Sequence, residues 1–231
     1  MRQLPLPLAF NPQQGFDQFH CGPNGELVCH LRELAAGGPQ PLVYLWGGPG
    51  EGKTHLLNAC CRHAHQLGQR SACLPLSALK GGAAGILEDL DQLDLVCLDD
   101  LDAIAGDEAW ELGLFALFNG LRDRGHHLLV SARQPPSPLP VGLADLKTRL
   151  EWGLTLHLAP LSDEDRMQVL QLQANALGLE LPAAVSRFLM AHHRRDLTAL
   201  RTLLEALDRA TLAAQCRLTV PFVKAYLEQH P

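Results

Sequence analysis

The nine residues GGPGEGKTH, Gly47 to His55, constrain this chain more than any other stretch of it. They fit the spacing Gly-x-x-x-x-Gly-Lys-Thr, with Gly47, Gly52, Lys53 and Thr54 at the defining positions. An apolar run, PLVYLW (41–46), precedes them and a helical pattern follows, which is the context the motif's mechanism needs. Glycines let successive backbone N–H groups converge on an anion, and the start of the next helix adds positive potential. Lys53 is then expected to reach the β- and γ-phosphates and the Thr54 hydroxyl to bind Mg²⁺. The expected ligand is ADP or ATP with Mg²⁺, and Gly48, Pro49, Gly50, Glu51 and His55 complete the stretch that would surround it.

A phosphate loop of this kind needs a carboxylate for the metal, carried on the end of a buried strand. LVCLDD (95–100) offers one. Asp99 is the candidate for the metal shell and Asp100 for polarising the attacking water. Taken alone, two acids at that point could equally begin a loop.

Short apolar runs alternate with helical patterns between residues 42 and 159, the signature of a parallel sheet wrapped by helices. Strands are expected at 41–46, 71–76, 94–100, 126–132 and 153–158, with helices near 53–67, 85–92, 108–124 and 143–151. RQPPSPLP, after the fourth strand, can only be a loop. Beyond residue 160 the strand signal stops, and leucines recur at helical spacing over 162–176, 183–192, 196–214 and 220–229. Ser162, followed by Asp163, Glu164 and Asp165, reads as the cap and acidic first turn of the first of these helices. The fold class expected is an α/β P-loop domain with a five-stranded parallel sheet (11–159), followed by a small all-α domain (160–231).

Composition narrows the function classes. With 25 acidic against 19 basic side chains the net charge is −6, and the basic residues form no stripe, which argues against free-standing nucleic-acid binding. The seven cysteines show no Cys-x-x-Cys spacing and several sit in apolar runs, as reduced core residues would. The eleven histidines include no pair at a metal-ligand repeat, so no metal held by protein ligands alone is expected. The amino terminus does not read as a signal peptide and no apolar run approaches membrane-spanning length, so a cytoplasmic protein with no membrane partner is expected.

One segment fits neither domain. QLPLPL (3–8) alternates leucine with proline, which forbids helix and favours a stiff extended ribbon offering apolar side chains to water. A proline-stiffened ribbon loses little entropy when it docks, so its leucines can fill an apolar groove while Gln3 makes directional hydrogen bonds. A leader whose prolines merely discourage aggregation has the same composition.

Together these residues resemble the AAA+ ATPases and, within them, the replication initiator DnaA. GGPGEGKTHLL is similar to the initiator's P-loop, LDDLDAIAG to its acidic strand end, SARQPP to its sensor-1 strand and loop, and LKTRLEWGL to its arginine-bearing segment. FDQF (16–19) and TVPFVKAYL (219–227) resemble its lead-in and its last lid helix. The resemblance covers about residues 10–229 and implies an AAA+ domain followed by a lid. In assemblies of that family an arginine from one subunit completes its neighbour's nucleotide site. The matching position is Arg149, which without the family would read as a surface salt-bridge partner.

Two differences from the initiator shape the expected function. The chain leaves no room after Pro231 for the initiator's helix-turn-helix DNA-binding domain, and its QLPLPL resembles the peptide that docks into the bacterial DNA polymerase sliding clamp, implicating Gln3, Leu4, Leu6, Pro7 and Leu8 (1–10 as the clamp-binding segment). The resemblance therefore implies a regulator that binds the clamp, meets DNA only through it, and inserts Arg149 into the ATP site of DnaA. A homo-oligomer is compatible with the family.

Of the initiator's sensor-1 pattern Thr-Ser-Asp, only Ser131 keeps a hydroxyl. The family's lid arginine falls on Thr198, with Arg201 one turn on and Arg194 and Arg195 just ahead. Nucleotide binding is expected to survive and autonomous turnover to be slow. The rival readings are a stand-alone AAA+ ATPase of the helicase-loader type, supported by the intact set Lys53, Thr54, Asp99 and Asp100, and a pure adaptor with an inert nucleotide site.

Overall fold

The structure, a computed structural model, describes residues 14–192 and 197–229. QLPLPL, Arg194 and Arg195 lie outside the described residues. The chain divides into two compact units, the first comprising 14–48 and 52–159 and the second 160–229, with which the short segment 49–51 is grouped.

In the first unit five strands form one parallel sheet: β1 (Leu42–Trp46), β2 (Ser71–Pro75), β3 (Leu95–Asp99), β4 (His127–Ala132) and β5 (Leu154–His157), in the order β2-β3-β4-β1-β5. Its helices are α1 (Gly25–Ala35), α2 (Lys53–Gln66), the single turn α3 (Leu76–Leu79), α4 (Glu108–Arg124) and α5 (Ala144–Trp152). Central strands of a parallel sheet are covered on both faces, so alternate side chains serve two cores. Leu42, Tyr44, Val96, Leu98, Leu128 and Val130 join the cluster that includes Trp110, Leu114 and Leu121 of α4. Val43, Leu45, Leu95, Cys97 and Leu129 join the other, against α1 and α2. Each leucine so buried contributes about 1.5–3 kcal/mol of transfer free energy.

The caps explain where the helices begin and end. Asp107 accepts hydrogen bonds from the N–H groups of Ala109 (3.1 Å) and Trp110 (3.3 Å), and Gly125 ends α4 in the left-handed region at φ 72°. Buried Asn24 fastens the start of α1 to the end of the unit: its side-chain N–H donates to the Ala159 carbonyl (3.0 Å) and its side-chain oxygen accepts from the Ala159 N–H (2.8 Å).

The second unit is all helical: α6 (Asp163–Leu177), α7 (Ala183–His192), α8 (Leu197–Ala214) and α9 (Val220–Gln229). Ser162 caps α6 as expected, its hydroxyl accepting the Asp165 N–H at 3.1 Å. Leu200, Leu203, Leu204 and Leu207 of α8 share one face and pack with Leu170, Leu189 and Val223.

Two elements differ from expectation. The helix expected over 85–92 is instead a pair of 3-10 turns, Ala84–Leu87 and Leu90–Gln92, separated by Asp89 in the left-handed region at φ 63°. Glycines at 81, 82 and 85 weaken a helix there. The leucine spacing is real, because Leu87 is buried and Leu90 packs against the same core. Helix α1 lies outside the expected set, although Leu27, Val28, Leu31, Leu34 and Ala35 are its buried positions and have helical spacing.

Among the described residues no helix is long and apolar enough to cross a membrane. All seven cysteines are unbridged. Burial pushes the Cys60 thiol well up and the Cys97 thiol up to about 12. The folded state keeps protons that the unfolded chain releases near the ordinary thiol value of 9.0, so these thiols stabilise the fold below that pH and lose their contribution as pH rises toward 12. At neutral to mildly alkaline pH a thiol-specific reagent should label the exposed Cys29 and Cys216 quickly and reach Cys60 and Cys97 only on unfolding; mass-mapped labelling of Cys97 at the rate of Cys216 would contradict this.

Gly153, between α5 and β5, has no room for a side chain: a Cβ there would lie 2.6 Å from Leu42 Cγ and 3.0 Å from the Leu42 carbonyl oxygen. Gly153→Ala should cost about 1–3 kcal/mol in urea unfolding, and an unchanged midpoint would show that Leu42 yields freely.

Candidate nucleotide-binding site

The site forms where β1, β3 and β4 end on the same edge of the sheet. The loop 47–52 leaves β1, and the Gly47 N–H donates to the Ala132 carbonyl at the end of β4 (3.2 Å). Gly50 and Gly52 have φ of 73° and 105°, the left-handed region where glycine carries no steric penalty. Gly52 is constrained twice, because a Cβ there would also lie 2.9 Å from the Phe19 ring. That ring belongs to FDQF, and Phe16 of the same segment is buried among α1 and α2. His55 joins this contact: its Nε2 is 2.9 Å from the Gly15 carbonyl oxygen and its ring centroid is 5.4 Å from that of Phe19.

Lys53, only 7 % exposed, donates from Nζ to the carbonyls of Gly47 (2.8 Å) and Gly48 (2.7 Å). The ammonium thus lies on the phosphate loop itself, where its charge is partly desolvated and strengthened toward any anion. Beside it Thr54 donates from Oγ1 to Asp99 Oδ2 at 2.6 Å. Asp99 is 4 % exposed, and its second oxygen accepts from the Ser131 hydroxyl at 2.5 Å. Ser131 Oγ in turn accepts the Asp100 N–H at 3.0 Å. Asp100 adopts φ 60°, ψ 55°, a left-handed conformation that aspartate tolerates better than most residues.

The loop after β4 is fixed by groups that motif spacing does not mark. The Arg133 N–H donates to Asp102 Oδ2 (2.8 Å), and the buried Tyr44 hydroxyl donates to the Gln134 carbonyl (2.9 Å). Burial raises the Tyr44 pKa, and the negative charge of Asp102 adds to the shift. At the mouth of β1 and β5 the rings of Trp46 and His157 stack at 3.9 Å.

Thus Lys53, Thr54, Asp99, Asp100 and Ser131 come together. Arg149 is on α5, half-buried, with its guanidinium 4.5 Å from the Trp152 ring centroid and 5.9 Å from that of Phe118. Trp152 is 70 % exposed. Arg201 lies in the second unit, where Nε pairs with Glu205 at 3.0 Å. Glu111 is a residue motif reasoning misses. Its carboxylate is 3 % exposed and accepts N–H bonds from Gly106, Gly142 and Leu143. The available signal is a charge on the buried face of α4, three residues before Leu114 and seven before Phe118. Among the described residues no group of three or more His, Cys, Asp or Glu is placed to hold a metal ion unaided.

Comparison with known proteins fits this geometry. Residues 76–157 match the bacterial DnaA ATPase domain family, and residues 163–227 match the family described as Hda, lid domain. Domain III of the Thermotoga maritima replication initiation protein DnaA superposes with a TM-score of 0.83 at 23 % identity, over 96 % of this chain and 100 % of that one. AMPPCP-bound DnaA from Aquifex aeolicus gives 0.72 at 22 % identity, over 85 % of this chain and 66 % of that one. The Thermotoga maritima RuvB Holliday junction branch migration motor gives 0.65 at 19 %, over 88 % and 68 %. At these identities the superpositions establish the fold: an AAA+ P-loop domain followed by a helical lid. With the two family matches, the chain is a Hda-like, DnaA-homologous AAA+ protein.

Ser131 joins both acids, so Ser131→Ala should leave the Asp99 oxygen and the Asp100 N–H each short of a partner. A loss of about 1–3 kcal/mol in denaturant unfolding is expected, and wild-type stability would show that water replaces the hydroxyl without cost.

Proposed function

We propose that this protein is a negative regulator of replication initiation that binds the DNA polymerase sliding clamp and promotes hydrolysis of ATP held by DnaA. The observation that carries the reading is the match of residues 163–227 to the Hda lid, joined to an ATPase domain of DnaA type.

Its own nucleotide, ADP or ATP with Mg²⁺, would be held by this chain's P-loop. The fit is physical: the turn at Gly52 admits no side chain, a buried ammonium lies on the loop, and two hard oxygens, from Thr54 and Asp99, stand 2.6 Å apart. In this reading Lys53 and the N–H groups of Gly48 and of 50–52 bind the phosphates, Thr54 and Asp99 hold the magnesium, and Ser131 keeps Asp99 and Asp100 in place. Arg201 is the lid's candidate for the phosphate end. When bound, the nucleotide would supply negatively charged phosphate oxygens for the loop to hold, and the magnesium positive charge that offsets them.

The chemistry proposed is on the partner. Arg149 presents a planar guanidinium on a short helix, beside an exposed indole. Inserted at the initiator's ATP, the guanidinium would neutralise charge on the transferring phosphoryl group, and water held by the initiator would take the phosphate. Gln3, Leu4, Leu6, Pro7 and Leu8 would tether the protein to the clamp and so raise its concentration near newly replicated DNA. The second reading, an ATPase of the helicase-loader type acting on its own ATP, is favoured by the Thr54–Asp99 pair and by Asp100 beside it.

With purified clamp, DNA and ATP-loaded DnaA, Arg149→Ala should reduce stimulated hydrolysis by 10³-fold or roughly so, an arginine finger's usual weight, while clamp binding persists. Gln3→Ala with Leu6→Ala should abolish clamp binding and spare nucleotide binding. Brisk turnover by the protein alone, without effect on DnaA, would favour the loader reading, and no effect with no turnover the adaptor.

A further inference from the structure

The buried Glu111 takes no part in holding nucleotide, yet it is among the most constrained charges in the molecule. Its Oε1 accepts from the Gly106 N–H (2.7 Å) and the Gly142 N–H (3.1 Å); its Oε2 accepts from the Gly142 N–H (3.0 Å) and the Leu143 N–H (2.7 Å). A carboxylate this deep is tolerable only because charge-assisted bonds replace water.

The three donors belong to two segments of different origin. Gly106, at φ 87°, ends the stretch that follows Asp99 and Asp100. Gly142 and Leu143 lead into α5, and Leu143, its N-cap residue, makes no side-chain capping bond. The first N–H groups of a helix lack intrahelical partners and carry partial positive charge, so the Glu111 carboxylate acts as a cap supplied by another helix. The far end of α5 meets the same face of α4, because Arg149 lies against Phe118, seven residues after Glu111. Leu146 and Leu150 fill the core between, leaving Arg149 on the margin.

We infer that Glu111 is a positioning residue for Arg149: it fixes the start of α5 against α4 and against the segment behind the acid pair, and thereby sets where the guanidinium is presented. This rests on the reading of Arg149 given above. Glu111→Gln keeps the shape but replaces one acceptor oxygen with an N–H₂ group facing donors.

The test uses the full-length protein. Glu111→Gln should lower the maximal rate of stimulated hydrolysis of DnaA-bound ATP at least tenfold, while leaving the half-saturating concentration and the binding of a fluorescent ADP to its own P-loop within twofold. Amide hydrogen exchange over 142–150 should quicken, and that over β3 and β4 should not. A wild-type maximal rate, a shifted half-saturating concentration with the maximal rate intact, or unaltered exchange over 142–150 would each overturn the inference. Should Glu111→Gln fail to fold, Glu111→Asp, shorter by one methylene, is expected to give the same pattern. Exchange is independent of activity: if the wild-type protein leaves the initiator's ATP untouched, the finger reading falls, while quickened exchange still upholds the hold of Glu111 on α5 and unchanged exchange removes it.

Discussion

The carboxylate of Asp99 is the constraint on which the first unit's working edge depends. It sits at the end of β3, almost without solvent, and hydroxyls from both sides turn toward it in place of water. Thr54 brings the start of α2, and with it the phosphate loop, to the acid; Ser131 brings the end of β4. The Ser131 oxygen then receives the Asp100 N–H, which sets the left-handed turn by which the chain leaves the strand. One buried carboxylate therefore orders three sequence segments, separated along the chain by 45 residues on one side and 32 on the other. A hydroxyl engaged in this way serves the geometry of the acids.

Local chemistry made the central parts legible. The phosphate loop, the five strands and the acid pair each announce themselves within ten residues, because glycine turns, short apolar runs and a strand-end carboxylate are short-range features. The same holds for the Ser162 cap, which the structure reproduces to the residue. The segment 84–92 was not legible for a reason that is not local. Its leucines are spaced as in a helix, but α4 presents Gly113 and Gly120 to it, where a Cβ would lie 3.4 Å from Leu87 Cδ1 and 2.7 Å from Asp91 Oδ2. The two glycines let irregular backbone pack tightly against α4. That backbone includes the Asp89 turn, and no window on the segment itself contains this information.

Glu111 and Asn24 were hidden in the same way. Glu111 is one polar residue in an apolar helical stretch and Asn24 the residue just before α1, and the partners of each are backbone groups at distant positions: Gly142 and Leu143 for one, Ala159 for the other. Backbone donors leave no mark in a sequence. For Glu111 the sequence does record the anomaly, a charged group on a face that should be apolar, and a buried polar group of that kind requires a partner.

The way α5 is capped bears on the role proposed for its arginine. A helix of nine residues gains little from its own hydrogen bonds and depends on packing for its place. A cap from its own lead-in would secure the first turn but leave the helix free to shift as a body. A cap from α4 does both, since the carboxylate that satisfies Gly142 and Leu143 cannot move without α4. Arg149 then needs few contacts of its own, and its guanidinium rests on the faces of Trp152 and Phe118, attractions worth only about 0.5–1 kcal/mol at exposed sites. A head group held that weakly on a helix held that firmly can leave its ring for a phosphate without disturbing the backbone that aims it.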